Sequence, residues 1–290
     1  MAEGGANKAA GSASGSPSNL KTRIMAAAIL VPLALLVTWA GPLPFAIMVA
    51  ALGALMAHEW AAMAHGGNQF QFALHAAAGI AGALCGLVIT PFLVVTVALA
   101  WVASLILTAR EMRGFTIYHL LGVPYMALPA FALVALRAQP SCGLLAVIFV
   151  FAAVWSADSL AYFAGRAIGG PKFAPRISPN KTWAGFGGAV TGGALAGLLV
   201  ALISGVSAAP LMLLGALLGG WEQVGDLFES AAKRRFGIKD SGSLIPGHGG
   251  VLDRVDGLAA AAVLALIWGA WFTGSTGAAA CGLFAWWGNM

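Results

Sequence analysis

Nine apolar stretches, each about as long as a helix that crosses a bilayer, follow one another along this 290-residue chain. The first runs from Ile24 to Ala40. The others cover 44–64, 72–90, 91–109, 117–136, 142–164, 184–205, 208–228 and 257–274. Inside lipid every backbone N–H and C=O must find a partner within the segment, so stretches of this length become helices. The alternating pattern of about ten residues that marks an outer-membrane barrel is absent. Only 9% of residues are charged and mean hydropathy is +0.89. A soluble domain carries about 25% charged residues, which excludes a large soluble core. The expected fold is all-α: a polytopic integral membrane protein with about nine transmembrane helices.

The basic residues orient these helices. With the N-terminus in the cytoplasm and nine spans, fourteen of the 15 Lys and Arg fall on the inner side, and Arg137 alone faces out. That asymmetry is what the positive-inside rule demands. Residues 1–20, rich in Gly, Ala and Ser, are expected to form a disordered cytoplasmic tail. Residues 21–140 then supply N-terminal transmembrane helices, and 141–290 a C-terminal transmembrane catalytic domain. The long polar start argues for an uncleaved first span. Trp286 and Trp287 suit a membrane interface. Cys85, Cys142 and Cys281 form no CxxC pair and are expected to be small buried hydrophobes. The Gly-rich runs after Trp183 and in the eighth span allow close helix approach, within one chain or in a homodimer.

Against this apolar background, Asp226–Asp256 holds ten of the 25 charged residues. Charge at a membrane face marks a functional site by default, because it is costly there. Asp226, Glu229, Ser230 and Lys233 recur at helical spacing and share one face. Arg234, Lys239 and Asp240 follow, then Pro246 and His248-Gly249-Gly250, where glycines can expose backbone amides to an anion. Asp253, Arg254 and Asp256 open the ninth helix. A second polar loop, 158–185, begins with Asp158 inside the inner end of the sixth span. It continues through Ser178, Lys181 and Thr182, just before the seventh helix. A helix N-terminus with hydroxyls and a lysine suits phosphate; a capped helix with topology-setting charge is the plainer alternative. Carboxylates suit magnesium, which rides with substrate phosphates, and lysine and arginine neutralise phosphate oxygens. No Walker A or GxGxxG pattern occurs, and no nucleic-acid partner is expected.

The run Ser230-x2-Lys233-Arg234-x4-Lys239-Asp240-x5-Pro246-x-His248-Gly249-Gly250-x2-Asp253-Arg254-x-Asp256 resembles the signature of the phosphatidate cytidylyltransferase (CDP-diacylglycerol synthase) family. Ser178-Pro179-x-Lys181-Thr182-Trp183 is similar to that family's upstream motif. Ala184 stands where the family usually has Glu. The resemblance implies transfer of CMP from CTP to phosphatidic acid, giving CDP-diacylglycerol and pyrophosphate in phospholipid biosynthesis. It implies Mg2+, with K+ also used by family members, and carries metal binding onto Asp226, Asp253 and Asp256. Lys233, Arg234, Lys239, Asp240 and Arg254 become catalytic candidates around the phosphates. His248 is either a hydrogen-bond donor or a turn-shaping residue. Ser178, Lys181, Thr182 and Ser230 become substrate-phosphate ligands. The expected location is the inner membrane, with the active site on the cytoplasmic face. A CTP-dependent lipid kinase and a transporter are the rival readings. A kinase would release CDP. A transporter would gather charge at mid-membrane rather than at one face.

Overall fold

A computed structural model describes residues 17–88, 90–111, 115–242, 244 and 249–285. The expectations for residues 1–16, Arg113, Pro246, His248, Trp286 and Trp287 lie outside the described residues. The helices are α1 (Pro17–Ala40), α2 (Pro42–Ala64), α3 (Gln69–Leu87), α4 (Pro91–Glu111), α5 (Ile117–Arg137), α6 (Gly143–Ala167), α7 (Trp183–Ser204), α8 (Ala208–Arg235), α9 (Leu252–Thr273) and the short α10 (Ala279–Gly282). Seven of them, α2–α7 and α9, are long and apolar enough to cross a membrane. In α1 the apolar part is the shorter Ala28–Ala40.

Each apolar stretch read from the sequence is helical over most of its length, the third only as far as Leu87. Other departures fall where polar residues extend a helix. α8 runs on to Arg235 and α9 starts at Leu252, because hydropathy fades at Glu229-Ser-Ala-Ala-Lys-Arg-Arg while helix propensity does not. α1 begins at Pro17, so residues 17–20 are helical where a disordered tail was expected. Proline is well placed there, since a first-turn N–H has no intrahelical partner.

α6, α7 and α8 pack through small residues. A Cβ on Gly193 would lie 2.0 Å from the Gly215 carbonyl oxygen, and one on Gly215 2.1 Å from that of Gly193. The two backbones touch, and a larger residue at either position would push α7 and α8 apart. The main core joins Phe45 of α2, Leu136 of α5, Phe149 of α6, Leu214 and Leu218 of α8, and Leu266 of α9. A second cluster joins Trp60, Met126 and Leu252. It ties the ends of α2, α5 and α8 to the start of α9. His65, just past α2, packs against His75 and His119. Burial first, then these neighbours, lower its pKa to about 3, so it is neutral at physiological pH.

Two features depart from the sequence reading. Between α6 and α7 the chain forms an antiparallel hairpin of β1 (Lys172–Ala174) and β2 (Ser178–Thr182), with Lys172 opposite Thr182 and Ala174 opposite Ser178. Among the described residues the fold is thus all-α apart from this pair. Pro171, Pro175 and Pro179 bar a helix here, and each biases the residue before it toward extended backbone. The second feature is a disulfide between Cys142 and Cys281. The cysteines were expected to be reduced and buried, which holds for Cys85 alone. The pair is 139 residues apart, so no spacing rule could reveal it. The chain after α9 folds back onto the α5–α6 turn and brings the two Cα atoms within 5.1 Å.

Candidate active site

The hairpin exists to present β2 to α8. Its base is closed by the Trp183 N–H donating to the Pro171 carbonyl at 3.1 Å. Thr182 caps α7: its Oγ1 accepts the Gly185 N–H at 3.0 Å. With both ends fixed, Lys181 reaches α8. Its Nζ lies 2.7 Å from Asp226 Oδ2 and donates to Gln223 Oε1 at 2.8 Å. Asp226 Oδ1 accepts from Ser230 Oγ one turn on, at 3.1 Å. Lys181, Thr182, Gln223 and Asp226 line a cavity of about 660 Å3, shared with Asp158, Arg166 and Asn180. The volume sits within the roughly 300–1,000 Å3 of small-molecule sites.

A second cluster adjoins the first, between α8 and α9. Lys233 Nζ is held between Glu229 and Asp253. The other oxygen of Asp253, Oδ2, accepts the backbone N–H groups of Ser241 at 3.1 Å and Gly250 at 2.9 Å. Asp256 follows one turn later, with Asp226, Asp158 and Lys233 as charged neighbours. Its Oδ1 accepts the Gly257 N–H at 2.8 Å. The approach of the two helices sets this spacing. A Cβ on Gly225 would stand 2.4 Å from the Asp256 carbonyl oxygen. Glycine beside Asp226 therefore lets α8 and α9 touch where their aspartates emerge.

The structure thus brings Lys181, Asp226, Ser230, Lys233, Asp253 and Asp256 together at one end of the bundle. The remaining candidates are placed differently. Arg234 donates to the Ile177 and Ile238 carbonyls, both at 3.4 Å, and so ties the end of α8 to the hairpin turn. Ser178 opens β2 opposite Ala174. Lys239 and Asp240 are exposed on the segment after α8. Arg254 is exposed on the first turn of α9 and is a charged neighbour of Asp158.

Two carboxylates were not singled out as site residues. Glu222 is 1% exposed and accepts from Gln223 Nε2. Its signal was a Glu-Gln pair inside the apolar run of the eighth span, which is the pattern that marks intramembrane function. Glu59 of α2 reaches the start of α9 through backbone amides, which no spacing within one helix could show.

Among the described residues, no three His, Cys, Asp or Glu side chains already enclose a metal site. Asp226, Asp256 and Asp158 offer oxygen donors only. That donor chemistry fits magnesium, which takes one or two carboxylates and fills its shell with substrate phosphate and water.

Comparison with known proteins gives the family. The model of the cytidylyltransferase family matches residues 21–272. The chain is 42% identical over 259 residues to phosphatidate cytidylyltransferase from Brucella melitensis biotype 1, covering 88% of this chain and 95% of the relative. It is 41% identical over 268 residues to phosphatidate cytidylyltransferase from Pseudomonas aeruginosa, covering 87% and 98%. The enzyme of that name from Bacillus subtilis is 41% identical over 128 residues, covering 42% of this chain and 46% of the relative. With a match that runs from α1 to the last turn of α9, the chain belongs to the cytidylyltransferase family.

Proposed function

We propose that this protein transfers the CMP group of CTP to phosphatidate, forming CDP-diacylglycerol and pyrophosphate. The observation that carries this reading is the meeting of Lys181 from the hairpin with Asp226 of α8, beside the cluster of Lys233 and Asp253. Cations and carboxylates converge there on a cavity at one end of an otherwise apolar bundle.

A phosphate oxygen of phosphatidate attacks the α-phosphorus of CTP. The bond from that phosphorus to the oxygen bridging to the β-phosphate breaks, and pyrophosphate leaves with its electron pair. The nucleophile is already an anion, so no strong general base is required. Phosphoryl and nucleotidyl transfer depend on positioning and charge neutralisation. Lys181, partly shielded in the cavity wall, is placed to hold a substrate phosphate against Asn180 and Arg166. Lys233 and Arg254 add positive charge where pyrophosphate develops. Asp226 and Asp256 would hold magnesium, with Asp158 next to them; when bound, the ion neutralises phosphate charge. Asp253, engaged by Lys233 and by two amides, sets the geometry of the α8–α9 junction. Helices α6–α9 carry the chemistry, and α2–α5 brace it.

One incubation tests the reaction. Purified protein with CTP, phosphatidate and magnesium is expected to release pyrophosphate and form CDP-diacylglycerol in equal amounts. CDP as the nucleotide product would instead indicate a lipid kinase.

We also propose nine crossings, an N-terminus in the cytoplasm, and a site at the cytoplasmic face of the inner membrane. The distribution of basic residues supports this. So does the disulfide: Cys142 precedes α6, while Asp158 stands sixteen residues along, about 24 Å away. Disulfides persist on the oxidising side of that membrane. In spheroplasts, a membrane-impermeant maleimide should label Cys142 and Cys281 after an impermeant reductant, without permeabilisation. Labelling only after permeabilisation would reverse the orientation.

A further inference from the structure

Glu59 lies near the inner end of α2 and is 2% exposed. A buried carboxylate is costly unless hydrogen bonds compensate it, and among the described residues those of Glu59 come from one distant segment. Its Oε1 accepts the Val251 N–H at 2.9 Å, and its Oε2 accepts the Leu252 N–H at 2.8 Å. Ser241 Oγ donates to Oε2 at 3.2 Å, across a separation of 182 residues. α9 begins at Leu252, and its N-cap residue, Val251, supplies no side-chain acceptor. Helix-start amides lack intrahelical partners and favour negative charge. Glu59 supplies that charge from another helix.

Among the described residues between α8 and α9, two glycines leave room for this carboxylate. A Cβ on Gly242 would lie 2.6 Å from Glu59 Oε1, and one on Gly250 2.6 Å from Oε2. Both positions therefore favour glycine where Glu59 inserts. Asp253 bonds to the same two stretches. It accepts the N–H groups of Ser241 and Gly250, while Glu59 takes the Ser241 hydroxyl and the next two amides. Ser241 is thus gripped by both carboxylates, and Asp253 in turn holds Lys233.

We propose that Glu59 is a positioning residue for nucleotidyl transfer: it clasps Ser241 to the start of α9 and so sets where Asp253, Lys233 and Asp256 stand. The proposal rests on the reaction proposed above for that site. Glu59 lies outside the cavity and touches the chemistry only through the loop. It also makes the N-terminal bundle part of the catalytic geometry, although the signature residues all lie in the C-terminal half.

The test uses full-length protein in detergent, with the folded, monodisperse fraction isolated before assay. Glu59→Gln keeps the shape but puts an NH2 group against backbone donors. It should lower kcat about 100-fold, the cost of a small misplacement of reacting groups, with KM for CTP little changed. A purely structural role would lower the yield of folded protein and leave its kcat intact. Gly242→Ala should also lower kcat, because the new methyl meets Glu59. Added to Glu59→Ala, where the carboxylate is gone, it should cost no more than about twofold further. Wild-type kcat in folded Glu59→Gln, or the same Gly242→Ala cost in both backgrounds, would overturn the proposal. If no Glu59 variant is recovered folded, Gly242→Ala alone decides: reduced kcat at unchanged KM supports the clasp, and wild-type kcat overturns it. Hydrogen exchange separates this from failure of the functional reading. Wild-type protein that makes no CDP-diacylglycerol sinks the reaction. Unchanged exchange at Gly250, Val251 and Leu252 in folded Glu59→Gln sinks the clasp, whatever the activity.

Discussion

Lys233→Met is expected to cost about 3–5 kcal/mol of stability, the usual penalty for removing one partner of a buried ion pair, together with turnover. Lys233 is the one cation bonded to both Glu229 and Asp253 among the ion pairs of the described residues. Its side chain is 12% exposed, that of Glu229 1% and that of Asp253 11%. Methionine matches the length of the aliphatic stem but leaves the Asp253 carboxylate without its cation, largely out of water. Asp253 is also bonded to the Ser241 and Gly250 amides, so its displacement would carry the loop with it. Thermal unfolding in detergent measures the first effect, and pyrophosphate release from the folded fraction the second. Adding Glu229→Gln should recover neither stability nor activity, because burial and then Asp256 push the Glu229 carboxyl up to about 9, so it carries no charge at neutral pH. A wild-type melting temperature for Lys233→Met would mean that the pair is solvated and that Lys233 contributes only charge to the site.

How much of this was legible in the sequence depends on the range of the interaction. Helices were legible because their cause is local: an apolar run in lipid has no alternative to the helix. The shared face of Asp226, Glu229, Ser230 and Lys233 was legible for the same reason, and the structure shows it as a Ser230–Asp226 hydrogen bond and a Glu229–Lys233 ion pair. The pairing of Lys181 with Asp226 joins a hairpin to a helix 45 residues later, so the sequence could place both on one membrane side but not in contact. The hairpin itself was hidden by shortness: three and five residues give no usable period, and only the prolines hinted against helix. The disulfide and Glu59 are longer in range still. Each depends on which helices become neighbours, and hydropathy is silent on that. Arg234 shows the converse. It sits inside the signature, yet the structure uses its guanidinium to fasten the hairpin turn, so membership of a motif does not by itself fix a residue's contacts.

Asp226→Asn should separate chemistry from folding most cleanly. Its side chain is 35% exposed, and its ion pair with Lys181 lies at the edge of the cavity. Pairs at that exposure contribute at most about 1 kcal/mol, so the melting temperature should hardly move. The asparagine carbonyl can still accept from Ser230, and the α8–α9 contact at Gly225 is untouched. What the change removes is one negative charge beside Asp256 and Asp158. If Asp226 helps to hold magnesium against the phosphates of CTP, turnover should fall about 100- to 1,000-fold, the scale of losing one preorganised electrostatic contact. The magnesium concentration needed for half-maximal rate should rise with it. Lys181→Met is the necessary comparison. Should Asp226 serve only to orient Lys181, the two variants will share one phenotype: weaker CTP or phosphatidate binding at an unaltered magnesium requirement. If Asp226 is a metal ligand, only Asp226→Asn shifts the magnesium dependence, while Lys181→Met raises KM and leaves that dependence in place. The hydrogen bond from Lys181 to Gln223 makes the comparison fair, because Gln223 still occupies the cavity wall in both variants.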